Sequence, residues 1–160
     1  MSEYTYTIYV RAAPADLWRA LTDPELTSRY WSGLRFSTDW RAGSSITWCL
    51  PEVEIVDVDQ VVVVADAPRR LAFTWQTFTD AWAAAHGVPP DVAAAFAAEP
   101  RSTATFELEP GGDATRLTLR HGDFDPGSAV AAAVAEGWPA ILSSLKSLLE
   151  TGSELGFEEG

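Results

Sequence analysis

His121 is the residue of this chain best suited to proton transfer. It follows Leu117 and Leu119 at two-residue spacing, so on a β-strand the three side chains share one face and point toward the same interior. A neutral imidazole in that place could bind a polar group of a ligand or move a proton. The alternative is a core histidine satisfied by its neighbours, and nothing in the sequence pairs His121 convincingly with a base or nucleophile. It is the only candidate catalytic residue.

The tryptophans suggest a binding function instead. Seven tryptophans are numerous for 160 residues, and aromatic side chains give a ligand cavity large contact areas with a few polar groups. Ordinary core packing is the alternative for each ring taken singly. The side chains predicted to line a ligand cavity are Trp48, Phe73, Trp75, Phe106, Leu119, His121, Trp138, Ile141, Leu142 and Leu145.

Two further motifs have simpler explanations than catalysis. The segment Gly111-Gly112-Asp113 lacks the lysine and the following helix of a phosphate loop, so it predicts a hairpin turn. Several acidic residues are predicted to form a solvated face, rather than to perform acid/base catalysis: Asp39, Glu52, Glu54, Asp57 and Asp59.

Composition excludes several classes of protein. Acidic residues outnumber basic ones 23 to 11 for a net charge of −12, which repels nucleic acid and anionic lipid headgroups. Cys49 is the lone cysteine, so we expect no internal disulfide, and without a Cys/His cluster we expect no metal site. No cofactor is expected either. No apolar run approaches the roughly 18 residues of a membrane helix, and no signal peptide is recognisable. We therefore expect one cytoplasmic domain over residues 1–160, with an acidic tail over about 153–160.

The elements that position these residues follow from periodicity. From Tyr4 to Val10 the even positions are aromatic or β-branched, which indicates a strand. Pro14 and Pro24 each suit the first turn of a helix, so two short helices are expected over 14–22 and 24–30. Alternation then predicts an antiparallel meander and a later hairpin, with strands over 34–38, 46–50, 53–65, 71–75, 104–108 and 117–121, and a bulge or bend between Ile55 and Val58.

An alanine-rich segment interrupts the meander and a long helix closes the chain. Residues 79–100 are predicted to be an insertion with one helix over 92–98, either a lid that touches a ligand or a surface excursion packed on the sheet. The lid residues would be Trp82, His86 and Phe96. Apolar residues at three- and four-residue steps predict a helix over 127–151, and Pro139 predicts that it kinks or restarts near Gly137.

Local motifs resemble one known family over nearly the whole chain. They are Ala13-Pro14-Ala15-Asp16-Leu17-Trp18-Arg19-Ala20-Leu21-Thr22-Asp23-Pro24, Tyr30-Trp31, Pro68-Arg69-Arg70-Leu71-Ala72-Phe73-Thr74-Trp75, Thr115-Arg116-Leu117-Thr118-Leu119-Arg120-His121 and Gly137-Trp138-Pro139-Ala140-Ile141-Leu142-Ser143-Ser144-Leu145-Lys146. Together they resemble the START-like (SRPBCC, helix-grip) superfamily, in its bacterial branch named for the C-terminal domain of the activator of the heat-shock-protein-90 ATPase. The resemblance implies an α+β fold in which a curved antiparallel sheet grips the C-terminal helix, with a cavity that holds hydrophobic ligands in many relatives.

Three functions follow as hypotheses. The first is binding of a small hydrophobic or aromatic molecule, lipid included, between sheet and helix, by a monomer or homodimer without stable membrane insertion. The second is a cyclase- or hydratase-type enzyme that uses His121 with a carboxylate. The third, suggested by the family name and the acidic surface, is a chaperone-interaction module for a basic partner.

Overall fold

The computed structural model describes residues 2–156, and this part of the chain contains eight antiparallel strands and five helices. The strands are β1 (Ser2–Val10), β2 (Arg35–Ser37), β3 (Thr47–Cys49), β4 (Glu54–Ile55), β5 (Val62–Asp66), β6 (Arg70–Thr74), β7 (Thr103–Gly111) and β8 (Ala114–Phe124). The helices are α1 (Pro14–Thr22), α2 (Pro24–Tyr30), α3 (Asp80–His86), α4 (Pro90–Ala98) and α5 (Ala129–Thr151). The predicted helix-grip class is confirmed.

The strands form two antiparallel sheets that meet at one joint. The larger sheet has the order β1-β8-β7-β6-β5 and the smaller one β2-β3-β4. A bridge between Ser45 and Val61 connects them, and the Ile46 amide donates to the Gln60 carbonyl at 2.7 Å beside it. The predicted long strand over 53–65 is thus two strands, separated by a turn in which the Asp59 amide donates to Asp57 Oδ1 at 2.9 Å.

The alternation on β8 is as predicted. Leu117, Leu119 and His121 are fully buried and lie opposite Ile8, Tyr6 and Tyr4 of β1 in the register. Their common face packs beneath α5, because strand side chains at even spacing point the same way.

Of the two outcomes predicted near Gly137, a kink or a restart, the restart is wrong, because the C-terminal helix is a single element from Ala129 to Thr151. Pro139 removes one donor from the helix, yet the residues on both sides keep helical geometry. Ser128 Oγ accepts from the Ala131 amide at 2.9 Å at the start, and Gly152, with φ +84°, ends the helix. The buried side chains recur at helical spacing: Val130, Trp138, Leu142, Leu145 and Leu148.

The insertion contains two helices where one was predicted. Thr79 Oγ1 accepts from the Trp82 amide at 3.0 Å and so caps the start of α3. Hydrophobic periodicity did not predict α3, because this helix is mostly alanine. Gly87 ends α3 in the left-handed region at φ +65°, a conformation that suits glycine.

Within residues 2–156, no helix is both long and apolar enough to cross a bilayer. Of the predicted acidic tail, residues 157–160 lie outside the described part of the chain.

Candidate functional site

Aromatic rings fill the space between the sheets and α5. The ring of Trp31 lies at their centre, with centroid distances of 5.2 Å to Trp138, 5.5 Å to Phe36 and 6.3 Å to both Trp48 and Trp75. We call this region the packed interior. Six of the ten predicted cavity residues are buried in it and do not line the groove described below: Phe73, Phe106, Leu119, His121, Leu142 and Leu145.

His121 is held by protein groups at both ring nitrogens. Trp138 Nε1 donates to His121 Nδ1 at 3.0 Å, so Nδ1 is the unprotonated nitrogen. The neutral ring therefore carries its proton on Nε2, which donates to Ser102 Oγ at 2.8 Å. Burial lowers the pKa of His121 to about 3. The ring is thus neutral near pH 7, and its contacts match those of a structural histidine.

A groove lies outside the packed interior, where the insertion faces α5 and the β3–β4 hairpin. It has a volume of about 690 Å³ and reaches the surface at exposed residues such as Glu52 and His86. The remaining four predicted cavity residues lie at its walls: Trp48, Trp75 and Ile141 line it directly, and Trp138 lines the apolar cavity that adjoins it.

The adjoining cavity has a volume of about 170 Å³ and is almost entirely apolar. The two cavities are adjacent, because they share five lining residues: Trp75, Gln76, Trp82, Gly137 and Ile141. The predicted lid residues lie on it, since Trp82 and Phe96 line the apolar cavity and His86 lines the groove. Phe78 joins them, with its ring centroid 5.1 Å from Trp82 and 5.2 Å from Phe96.

The insertion is tied down at both ends. Asp57 Oδ2 accepts from Thr77 Oγ1, just before the insertion, at 2.5 Å and from Arg101 Nη2, just after it, at 3.2 Å. The bond from Thr77 lowers the pKa of Asp57. At its end, the Glu99 carboxylate accepts from the hydroxyl of Ser128 and from the amides of Ala129 and Val130, the latter two at 3.0 and 3.2 Å. A carboxylate there satisfies free amides of α5 and complements its dipole.

Asp57 therefore differs from the other acidic residues of the predicted solvated face. Asp39, Glu52, Glu54 and Asp59 are exposed as predicted, whereas Asp57 is half-buried in the anchor of the insertion. No signal near Asp57 marked this role, because Thr77 and Arg101 lie 20 and 44 residues further along the chain.

Several residues of the groove were not predicted. Gly137 and Ala140 leave room beside α5, and Gln76 follows Trp75 at the end of β6. Among the described residues, two buried side-chain atoms lack a hydrogen-bond partner, Trp48 Nε1 and Gln76 Oε1, and both residues line the groove. The small residues at 137 and 140 were the one available signal, since they stand where large residues would close the site.

The sequence profile of the Activator of Hsp90 ATPase homolog 1-like protein family matches residues 11–150. The chain belongs to this family. The resemblance stated from the motifs is thereby confirmed. A search of curated proteins gave no match.

Several solved structures share the fold. The solution structure of the Aha1 dimer from Colwellia psychrerythraea has a TM-score of 0.68 at 19% identity, over 95% of this chain and 98% of that one. Protein MLL2253 from Mesorhizobium loti gives 0.67 at 25% identity, over 92% and 97%. CalU16 from Micromonospora echinospora gives 0.63 at 21% identity, over 92% and 74%.

In the part of the chain that the structure describes, no three His, Cys, Asp or Glu side chains group as metal ligands would.

Proposed function

We propose that this protein binds a small hydrophobic or aromatic molecule in the groove between α5, the insertion and the β3–β4 hairpin. The observation that carries the proposal is that the 690 Å³ groove shares five wall residues with the apolar cavity beside Trp138. Ligand sites of this size are concave and mostly apolar, with a few polar groups that orient the ligand. The proposal moves the site outward from the sheet–helix interior, which the aromatic rings occupy.

The insertion acts as the lid in this proposal. Hydrogen bonds fix its start through Thr77 and its end through Glu99, and those of Glu99 hold it beside α5. The turn at Gly87 separates its two short helices. Trp82 of α3 and Phe96 of α4 then cover the apolar cavity, and His86 lies at the mouth of the groove.

The binding hypothesis has more structural support than the two alternatives. An enzyme that uses His121 needs a free ring nitrogen beside the substrate, whereas Trp138 and Ser102 occupy both nitrogens away from the groove. The chaperone-interaction hypothesis rests only on the family name and the net charge of −12.

Gly137 offers a direct test of the site. It lies on α5 at the junction of the two cavities, and an added Cβ would meet nothing within 4 Å beyond its own helical turn. Gly137→Leu should fill the junction and abolish binding of naphthalene, measured by calorimetry. Gly137→Ala is the matched control and should retain binding. Both variants should fold at least as well as the original, since removing a glycine from a helix interior stabilises it by about 0.5–1 kcal/mol.

Native mass spectrometry of freshly purified protein gives a second test. A retained small apolar molecule, absent from Gly137→Leu, would support the proposal, and naphthalene binding that survives Gly137→Leu unchanged would refute this site. The same spectra report the oligomeric state. We propose a monomer or homodimer, and the dimeric Aha1 protein of Colwellia psychrerythraea supports the second.

A further inference from the structure

Two complementary polar atoms lie unpaired at the groove. Among the described residues, Trp48 Nε1 is a buried donor without an acceptor and Gln76 Oε1 a buried acceptor without a donor. Buried polar groups in folded proteins are almost always hydrogen-bonded, so each exception calls for a physical reason. Both exceptions fall on residues that line the same groove.

Two other buried or half-buried tryptophans pair their indole N–H. Trp138 donates to His121 at 3.0 Å, and Trp40 donates to the Thr22 carbonyl at 3.2 Å. Trp48 is as buried as Trp138, at 2% and 1% exposed, but its indole N–H has no partner. Trp48 lines the groove itself, whereas Trp138 lines the adjoining cavity and Trp40 lines neither.

The two residues lie on neighbouring parts of the wall. The ring of Trp48 contacts that of Trp75 with centroids 4.9 Å apart, and Gln76 is the next residue of the chain. A hydroxyl group satisfies both atoms at once, because its oxygen accepts from the indole and its hydrogen is donated to the amide oxygen. An ether satisfies only Trp48, and a hydrocarbon satisfies neither. A carboxylate offers no hydrogen to Gln76, and Glu52 at the groove would repel it.

The adjoining cavity selects the rest of the ligand. Aromatic rings of Trp75, Phe78, Trp82 and Phe96 line it, so a flat ring finds edge and face contacts there. We infer that the groove binds a neutral aromatic molecule that carries a hydroxyl group, with its ring in the apolar cavity and its hydroxyl between Trp48 and Gln76. This inference rests on the proposed function. Both polar atoms are buried, so the proposed pairing requires the side chains that cover them to shift when the ligand enters.

The test compares three probes of similar shape by calorimetry: 2-naphthol, 2-methoxynaphthalene and naphthalene. With the wild-type protein, 2-naphthol should bind about tenfold more tightly than the other two, because it alone gains both hydrogen bonds. Trp48→Phe and Gln76→Leu should each reduce this advantage to less than about threefold. Trp40→Phe, which removes an indole N–H away from the groove, is the matched control and should keep the advantage.

A second measurement reports on the donor itself. The indole ¹⁵N–¹H signal of Trp48, identified by its loss in Trp48→Phe, should move downfield with 2-naphthol and not with naphthalene. The other six indole signals of the seven tryptophans, recorded in the same spectra, show whether each variant is folded.

The possible outcomes distinguish failure of the hydroxyl inference from failure of the proposed function. Equal binding of all three probes would refute the hydroxyl inference and leave the proposed function intact. An advantage of 2-naphthol that persists in both Trp48→Phe and Gln76→Leu would also overturn the inference. If none of the probes binds the wild-type protein, the proposed function and the inference fail together.

Discussion

In the described part of the chain, buried polar groups are hydrogen-bonded in the packed interior, whereas two at the groove have an unpaired atom. In the interior, His121 has partners at both nitrogens, and fully buried Gln60 donates to the carbonyls of Ile46 and Ile55, each at 3.0 Å, and accepts from the Thr77 amide at 2.8 Å. At the groove, Trp48 and Gln76 keep unpaired atoms. The contrast separates groups that stabilise the fold from groups that we propose pair with a ligand.

The two glutamines allow the largest test of this contrast. Gln60→Leu should lower the free energy of unfolding by about 3 kcal/mol, because three backbone groups lose their partner in a buried place. Gln76→Leu should leave it within about 0.5 kcal/mol of the original value or raise it, since the amide oxygen it removes has no partner. Urea unfolding of both variants measures the difference. Equal losses would show that Gln76 is also a structural residue.

The pH dependence of stability tests His121. Its folded pKa of about 3 lies below the ordinary value of 6.5, so the unfolded chain binds one more proton between these values and stability falls as pH decreases. Between pH 6.5 and pH 5 the free energy of unfolding should decrease by about 1.5 kcal/mol. Acidic groups with lowered pKa, such as Asp57, lose their contribution only at lower pH.

Two variants test whether His121 causes this decrease in stability with falling pH. His121→Leu should remove the decrease above pH 5, although it also weakens the fold by leaving Trp138 and Ser102 without their partner. His86→Gln, which changes the exposed histidine of α3, should keep it. A slope that survives His121→Leu would mean that the imidazole is not neutral and buried as described.

The anchor at the end of the insertion should give the smallest effect. Glu99→Ala should lower the free energy of unfolding by about 1 kcal/mol, because the first turn of α5 loses its capping carboxylate. Hydrogen exchange should accelerate in that turn and in α4. Glu109→Ala is the control, since its exposed ion pair with Arg116 at 3.5 Å contributes little. If exchange in α4 is unchanged, Glu99 caps the helix without holding the insertion.

Periodicity and motifs predicted the elements but not where the space between them lies. The alternation of Leu117, Leu119 and His121 identified a buried face correctly. It could not show that Trp31 would fill the volume in front of that face, because such contacts join residues far apart in the chain. Alanine-rich α3 also lacked an apolar pattern that would mark it as a helix.

The groove was the least predictable part for a related reason. Gly137 and Ala140 contribute to the groove because their small size leaves space beside α5. Hydrophobic periodicity identifies positions of large apolar side chains and does not identify such spaces. The unpaired atom of Gln76 depends on which groups fail to reach it, and this is decided by the packing of the whole molecule.

The tryptophan cluster around Trp31 also has an optical consequence. Indole rings whose centroids are 5.2 to 6.3 Å apart, as those of Trp31, Trp75 and Trp138 are, pass excitation energy among themselves before they emit. We therefore expect the intrinsic fluorescence of the protein to behave as the signal of one coupled group of chromophores. Since Trp75 and Trp138 of that group also line the proposed site, a ligand that enters it should change the emission of the whole cluster, without any added label.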